Sequence, residues 1–298
     1  MMRVWLQAFR LRTLPLSLAC VAMAAFLAAD RQKFDGLIFF LCCLTTVLLQ
    51  ILSNLANDYG DSVHGADHAG RRGPQRAVQS GAISAAQMRN AVLLFVVLCF
   101  ISGLSLLAVA FGTRWQELLL FLALGVASIL AAIGYTVGKK PYGYVGLGDF
   151  SVLIFFGFVG VMGSLYLFTN TFRWMDVLPA LSCGLFSIGV LNINNMRDLE
   201  SDRAAGKYSL PVRIGKRAAA WYQVIIMVTA TASAVGFVLL NYRSPLQFIF
   251  LLTLPFQVEI AHGVVKLRSD ELDPLLRKMA LTTLAFVLFF GTGLLFSV

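Results

Sequence analysis

Residues 36–61 read GLIFFLCCLTTVLLQILSNLANDYGD. The first part, 36–56, is predominantly apolar, and about 20 such residues are what a helix needs to cross the hydrocarbon core of a bilayer. The run then ends in Asn54, Asn57, Asp58 and Asp61. Continued as a helix, these four fall at i, i+3, i+4 and i+7, which puts them on one face. Like charges stacked this closely repel one another, and a bound divalent cation would remove the penalty. The stretch therefore sets two expectations, a helical membrane protein and a polar site where this span leaves the membrane.

The rest of the chain extends the first expectation. Of 298 residues, 58% are hydrophobic and only 13% charged, against about 25% charged in a typical soluble domain. There is too little polar side chain to coat a water-exposed surface. Nine segments approach spanning length: 14–29, 36–56, 88–112, 116–137, 147–168, 176–196, 218–240, 244–265 and 278–297. Glycines recur within them, for example Gly103, Gly125, Gly157, Gly160 and Gly163, as in membrane helices whose backbones approach closely. The apolar run after Arg3, Arg10 and Arg12 resembles a signal peptide, but further spans follow it, and it is expected to stay as the first of them. Cys20, Cys42, Cys43, Cys99 and Cys183 all lie in apolar segments without a CxxC pair, which predicts buried free thiols.

The net charge of +9 is distributed by topology. Nineteen of the 24 Lys and Arg lie in or beside alternate connections, namely the N-terminus and 57–87, 138–146, 197–217 and 266–277. The other five lie at the opposite end. This bias places the rich side in the cytoplasm, with the N-terminus inside and the C-terminus outside. It also removes the basic charge as a reason to invoke nucleic acid, for which no motif is present. The long loops are on the rich side, and long loops in a compact domain are usually functional.

A second acidic cluster ends the sixth span: Asn194, Asn195, Met196, Arg197, Asp198, Leu199, Glu200, Ser201, Asp202. Asn194, Asp198 and Asp202 lie at i, i+4 and i+8. Asn57 and Asp61 repeat the first two of these positions 137 residues earlier. The two helices are four spans apart, so they point the same way, and an internal duplication within one membrane domain would explain the match. Oxygen-only ligands suit Mg²⁺, which is commonly shared with substrate phosphates. A diphosphate held between the clusters would leave oxygens for Arg76, Lys139, Lys140, Arg197, Lys207 and Arg213; taken singly, each of these also fits a purely topological role. Between the clusters, residues 135–149 (YTVGKKPYGYVGLGD) read as a structured turn. Its Tyr142 and Tyr144 suit contact with an aromatic acceptor or a carbocation, and equally an interfacial aromatic belt. His64 and His68 lack the further ligands zinc needs, and neither GxxxxGK[ST] nor HExxH occurs.

With these residues in hand, the chain resembles the UbiA superfamily of intramembrane prenyltransferases, and most of all its branch acting on 1,4-dihydroxy-2-naphthoate. The resemblance runs from Leu11-Arg12-Thr13-Leu14-Pro15 to the last span and is most specific at 50–61, 135–149, 191–198, Gly206-Lys207 and 211–215. The first superfamily motif, NDxxDxxxD, is matched by Asn57, Asp58 and Asp61; its last position is Gly65, and the next acid is Asp67. The second motif is intact at Asp198 and Asp202, and a YxxxK element matches Tyr135 and Lys139. The resemblance implies an all-α bundle around a central cavity open to lipid. It implies Mg²⁺ on Asp58, Asp61, Asp67, Asp198 and Asp202, and catalytic roles for Tyr135 and Lys139. The substrate site is expected to draw on Asn54, Asn57, Arg76, Lys140, Tyr142, Tyr144, Asn194, Arg197, Lys207 and Arg213. A polyprenyl diphosphate would be the donor and 1,4-dihydroxy-2-naphthoate the acceptor, giving a demethylmenaquinone. Another aromatic acceptor, such as 4-hydroxybenzoate, homogentisate or protohaem, shares this chemistry, and a secondary transporter is the alternative of another class.

Overall fold

A computed structural model describes residues 1–64 and 76–297. The expectations for Asp67, His68 and Gly65 fall outside the described residues. Within them no strand occurs, and nine helices are long and apolar enough to cross a membrane. A short α1 (Met2–Phe9) leads into α2 (Leu14–Asp30), followed by α3 (Gly36–Val63), α4 (Ala85–Phe111) and α5 (Trp115–Gly134). Then come α6 (Gly148–Thr169), α7 (Val177–Arg197), the short α8 (Leu199–Ala204) and α9 (Leu210–Ile214). The chain closes with α10 (Lys216–Leu240), α11 (Pro245–Lys266) and α12 (Asp273–Leu295).

Local chemistry explains several helix ends. Asp35 caps α3 by accepting the N–H groups of Leu37 (2.8 Å) and Ile38 (2.9 Å). Ser84 and Gln87 form a reciprocal capping box at α4. α3 runs seven residues beyond the expected 56, and α12 starts five before the expected 278. Hydropathy marks only the lipid-crossing part of a helix. The polar turns beyond it are held by side-chain bonds, Asp273 for instance pairing with both Arg12 and Arg197.

Two packed halves make the body of the protein. The larger joins α2, α6, α7, α10, α11 and α12, with Phe186, Phe250 and Phe286 in edge-on contact at 4.7 and 5.0 Å. In it α6 and α7 cross at Gly157 and Gly184, where a Cβ on Gly157 would come within 2.9 Å of the Ala180 carbonyl oxygen. α6 itself winds as a wider π-helix over Leu153–Gly163. The smaller half joins α1, α3, α4 and α5. Leu93, Leu94, Leu119, Leu120, Ile225 and Val228 are exposed on the outer surface, far more apolar side chain than a water-facing surface carries. The protein is an integral membrane protein.

Long-range bonds show which connections share an end. At one end His64 faces the Gly138 carbonyl (3.0 Å), Tyr208 N–H donates to Tyr144 O (2.9 Å), and Asp273 receives Arg12 (3.1 Å) and Arg197 (2.5 Å). At the other end Arg243 pairs with Asp30 (2.6 Å) and Arg31 with Asp176. The basic-rich connections thus gather at one end of the bundle, as the charge alternation predicted. All five cysteines are free, four of them buried.

Candidate active site

The end of α3 carries the first half of the site. Asp61 is buried and receives the Arg76 guanidinium, the Tyr144 hydroxyl (2.8 Å) and, at 4.0 Å, the Lys207 ammonium. Arg76 also donates to the Asn57 carbonyl (3.0 Å). Asp58, three residues before Asp61, has a different duty. Its carboxylate accepts the backbone N–H groups of Ala77 (3.2 Å) and Val78 (3.5 Å), which fixes the segment that presents Arg76.

The second half lies where α7 gives way to α8. The expected single helical face from Asn194 to Asp202 is interrupted: α7 ends at Arg197, and Asp198 sits between the helices at φ −91°, ψ 11°. Bonds of helical spacing still run through the break, from Asp198 N–H to Asn194 O (3.1 Å) and from Asp202 N–H to Asp198 O (2.8 Å). The interruption coincides with the Arg197 side chain folding back onto its own helix end. It donates twice to Asp198 (2.9 and 2.8 Å), to Asn194 Oδ1 (2.9 Å) and to Asp273 (2.5 Å). Arg197 is therefore committed to the scaffold.

Lys207 joins the halves. Its N–H bonds the Asp202 carbonyl (2.8 Å), and its ammonium lies 3.5 Å from Asp202 Oδ1 and 4.0 Å from Asp61 Oδ2. The two acidic helix ends are close enough for one ammonium to touch both. Burial works against the charge on Lys207, but Asp61 and Asp202 more than compensate and hold it well above the usual lysine range. Burial pushes the Asp202 carboxyl up, to about 6; Lys207 pulls it back, and Asp198 and Asp61 raise it further.

The turn after α5 closes over this pair. Thr136 Oγ1 lies 3.0 Å from the Ala56 carbonyl, to which it donates, and 3.2 Å from Asn57 Oδ1. The approach needs Gly60, since a Cβ there would lie 2.6 Å from the Thr136 carbonyl oxygen. Gly60→Ala should therefore displace the turn and cost about 1–3 kcal/mol, read as a lower unfolding temperature in detergent. Tyr135 and Tyr142 meet edge to face at 5.4 Å, and the Tyr142 hydroxyl is held by Ala131 O (2.8 Å) and Ser151 (2.9 Å). Tyr144 lies under Lys207 as well as against Asp61, 5.7 Å from ring centre to ammonium. Arg213 donates to Tyr208 O and Val145 O, both at 3.0 Å, and so ties the turn to the loop carrying Lys207.

A cavity of about 380 Å³ lies between the two halves of the bundle. Asn57, Asp61, Arg76, Tyr135, Asn194 and Lys207 line its polar head; Leu104, Leu107, Phe121, Leu122, Phe156 and Val159 line its apolar body. Along α3 the lining runs from Asp61 to Cys42, roughly 28 Å at 1.5 Å per residue, which is close to the thickness of the hydrocarbon core. Asn54 and Tyr142 also line it, whereas Asp58, Tyr144, Asp198 and Asp202 stand behind the lining. Lys139 and Lys140 are exposed; Lys139 borders a separate pocket with Tyr59, Val63 and His64. The turn that holds Tyr135 in the wall carries Lys139 outward. Three contributors were not singled out in the sequence: Arg10 and Gln50, which line the cavity, and Asp273, which anchors Arg197. Asp273 has no motif to mark it, and Arg10 reads in the sequence only as a topological charge.

The donor set suits Mg²⁺. Among the described residues no three acidic, His or Cys side chains form a metal-holding group, but Mg²⁺ is commonly bound by one or two carboxylates with substrate phosphates completing the shell. Asp202 Oδ2 is buried and has no hydrogen-bond partner among the described residues, as an oxygen awaiting a ligand would be. The acids lie at helix ends, not at the mid-membrane breaks usual for transporter sites.

A bundle with a lipid-length apolar cavity headed by two acidic helix ends defines an intramembrane enzyme for a donor with a long apolar tail and an anionic head. The model of the UbiA prenyltransferase family matches residues 17–284, and the chain belongs to that family. It is 42% identical over 297 residues to the 1,4-dihydroxy-2-naphthoate octaprenyltransferase of Haemophilus influenzae, covering 99% of this chain and 96% of that one. It is 45% identical over 295 residues to the Escherichia coli protein of the same name, covering 96% and 94%. Its fold matches that of a UbiA homologue from Archaeoglobus fulgidus bound to DMAPP and Mg²⁺, with a TM-score of 0.68, 13% identity and coverage of 99% and 100%.

Proposed function

We infer that the protein transfers a polyprenyl group from polyprenyl diphosphate to 1,4-dihydroxy-2-naphthoate, releasing CO₂ and diphosphate. The observation that carries the site assignment is Lys207, 3.5 Å from Asp202 and 4.0 Å from Asp61 at the head of the apolar cavity. The acceptor assignment is supported by the near full-length likeness to two octaprenyltransferases named for that substrate.

Charge sets the course of the reaction. Arg76 and Lys207 face the place where the diphosphate leaves and stabilise the charge that develops there. Asp61 and Asp202, with Asp58 and Asp198 as further candidates, would hold Mg²⁺. When bound, Mg²⁺ supplies further neutralisation of the leaving diphosphate. The allylic C–O bond breaks, its electron pair leaving with diphosphate, and the ring carbon bearing the carboxylate forms the new C–C bond. The carboxylate then departs as CO₂, and its bonding pair returns to the ring. The product is the quinol form of a demethylmenaquinone, and no oxidant is needed. Tyr135 and Tyr142 present ring surface to the cation, and the apolar walls keep water from it. The tail lies in the apolar body of the cavity and in lipid. By the positive-inside rule the site faces the cytoplasm of a bacterial inner membrane, with the C-terminus outside.

The assignment is tested with purified protein, labelled polyprenyl diphosphate, Mg²⁺ and each acceptor in turn. Label should enter the naphthoate product with release of CO₂. Transfer to 4-hydroxybenzoate and not to the naphthoate would overturn the acceptor assignment. Chelating Mg²⁺ should remove most of the turnover and re-addition restore it; equal rates with and without chelator would overturn the metal role.

A further inference from the structure

The two acids of the second motif are prepared differently. Asp202 keeps one buried carboxylate oxygen, Oδ2, without a hydrogen-bond partner among the described residues. Asp198 has both oxygens engaged. Oδ1 accepts from Arg197 Nε (2.9 Å) and Oδ2 from Arg197 Nη2 (2.8 Å), the two-point pairing that a guanidinium fork favours. Both side chains are buried, with 4% and 3% of their surface exposed. An ion that takes an oxygen of Asp198 must therefore compete with this guanidinium. A buried guanidinium that loses its counter-charge is costly.

Arg197 has a second counter-charge within reach. Its Nη1 donates to Asp273 Oδ1 (2.5 Å), while Nη2 also donates to Asn194 Oδ1 (2.9 Å). Asp273 opens α12 and is firmly held there, since its neighbours Leu272, Leu275 and Leu276 are buried in the core of the larger half. Pro274 fixes the first turn of the helix. The other oxygen of Asp273 accepts from Arg12 (3.1 Å). Arg12 and Asp273 are each 37% exposed, so water can replace that contact at little cost. Arg197 thus lies between two carboxylates. Asp198 belongs to the acidic motif, and Asp273 comes from a helix that brings no acid of either motif.

We propose that Asp273 is a positioning residue for the metal site. It holds the Arg197 guanidinium when Mg²⁺ draws on Asp198, so that Asp198 can serve as a ligand without stranding a buried cation. The proposal rests on the reading of Asp198 as a Mg²⁺ ligand. Asp273 carries the charge that this exchange needs, because the Asn194 oxygen can accept a hydrogen bond but cannot neutralise the guanidinium. Groups that act through a metal ligand in this way tune affinity for the ion while standing outside its shell.

The test titrates Mg²⁺ into the purified full chain with saturating geranyl diphosphate and no acceptor, and reads the rise in unfolding temperature in detergent. Asp273→Asn keeps the size of the side chain and one acceptor oxygen but loses the charge. It should raise the Mg²⁺ midpoint by about 10–100-fold. Its metal-free unfolding temperature should stay close to wild type, because Arg197 still has Asp198. Asp273→Glu should recover most of the affinity. Adding Arg197→Gln to Asp273→Asn removes the cation that would be stranded and should bring the midpoint back toward the wild-type value. A midpoint unchanged in Asp273→Asn, or no recovery in the double variant, overturns the proposal. So does a lowered metal-free unfolding temperature with an unchanged midpoint, which would make Asp273 a strut. Asp198→Asn separates the two readings. If it leaves the midpoint unchanged, the ligand reading of Asp198 falls and this proposal with it; if it raises the midpoint while Asp273→Asn does not, the role of Asp273 alone is lost.

Discussion

Lys207→Met should remove turnover and destabilise the fold together, and adding Asp202→Asn should restore only the stability. Lys207 is buried, with its ammonium between Asp61 and Asp202. Removing the cation leaves two buried carboxylates facing each other, with Arg76 the cation among the described residues that still offsets them. Breaking a buried pair by deleting one partner costs about 3–5 kcal/mol. Neutralising Asp202 removes the like-charge conflict that the first substitution exposed. The double variant should therefore regain most of the lost unfolding temperature in detergent. Turnover should stay down by about 10²–10³-fold, the usual effect of losing one preorganised charge partner at a reacting centre. If the double variant recovered rate along with stability, Lys207 would be a strut holding the two acidic ends together and nothing more.

Much of this architecture was legible in the sequence because lipid enforces it. A span must be about 20 residues long, so nine apolar runs became nine spanning helices among the described residues, and the charge alternation foretold which connections share an end. The acidic run at 54–61 was legible for a similar reason, since a helix fixes which side chains share a face. Pairing was not legible. Lys139 and Lys207 are both lysines beside a glycine, yet the turn after Gly138 (φ 120°) leaves Lys139 exposed. The turn at Gly206 (φ 71°), closed by the Asp202 carbonyl, instead buries Lys207 between two acids. Arg197 and Arg76 are likewise each an arginine close to an acidic motif in the chain. One is consumed by Asp198, Asn194 and Asp273, while the other lines the cavity. Such outcomes depend on contacts between residues far apart in the chain, and local pattern holds no record of them. Arg10 shows the opposite error: a charge that topology explained well enough to hide a position in the cavity wall.

Asp58 and Asp61 put the division of labour inside one motif to the test. Asp61→Asn should lower kcat by about 10²–10³-fold and raise the Mg²⁺ concentration needed for half-maximal rate, because Asp61 lines the cavity and faces both Arg76 and Lys207. Asp58 stands behind the lining and accepts two backbone N–H groups, at 3.2 and 3.5 Å. An asparagine oxygen can accept such bonds, so Asp58→Asn should keep the fold and stay within about tenfold of the wild-type rate. Asp58→Ala leaves both N–H groups without that acceptor and should cost about 1–3 kcal/mol. It should also slow turnover indirectly, by loosening the segment that carries Arg76. The motif would then divide between a residue at the reacting diphosphate and a residue that builds the loop over it. Equal losses in Asp58→Asn and Asp61→Asn, with the same rise in Mg²⁺ requirement, would instead make both carboxylates metal ligands and assign the backbone bonds of Asp58 to a conformation that substrate replaces.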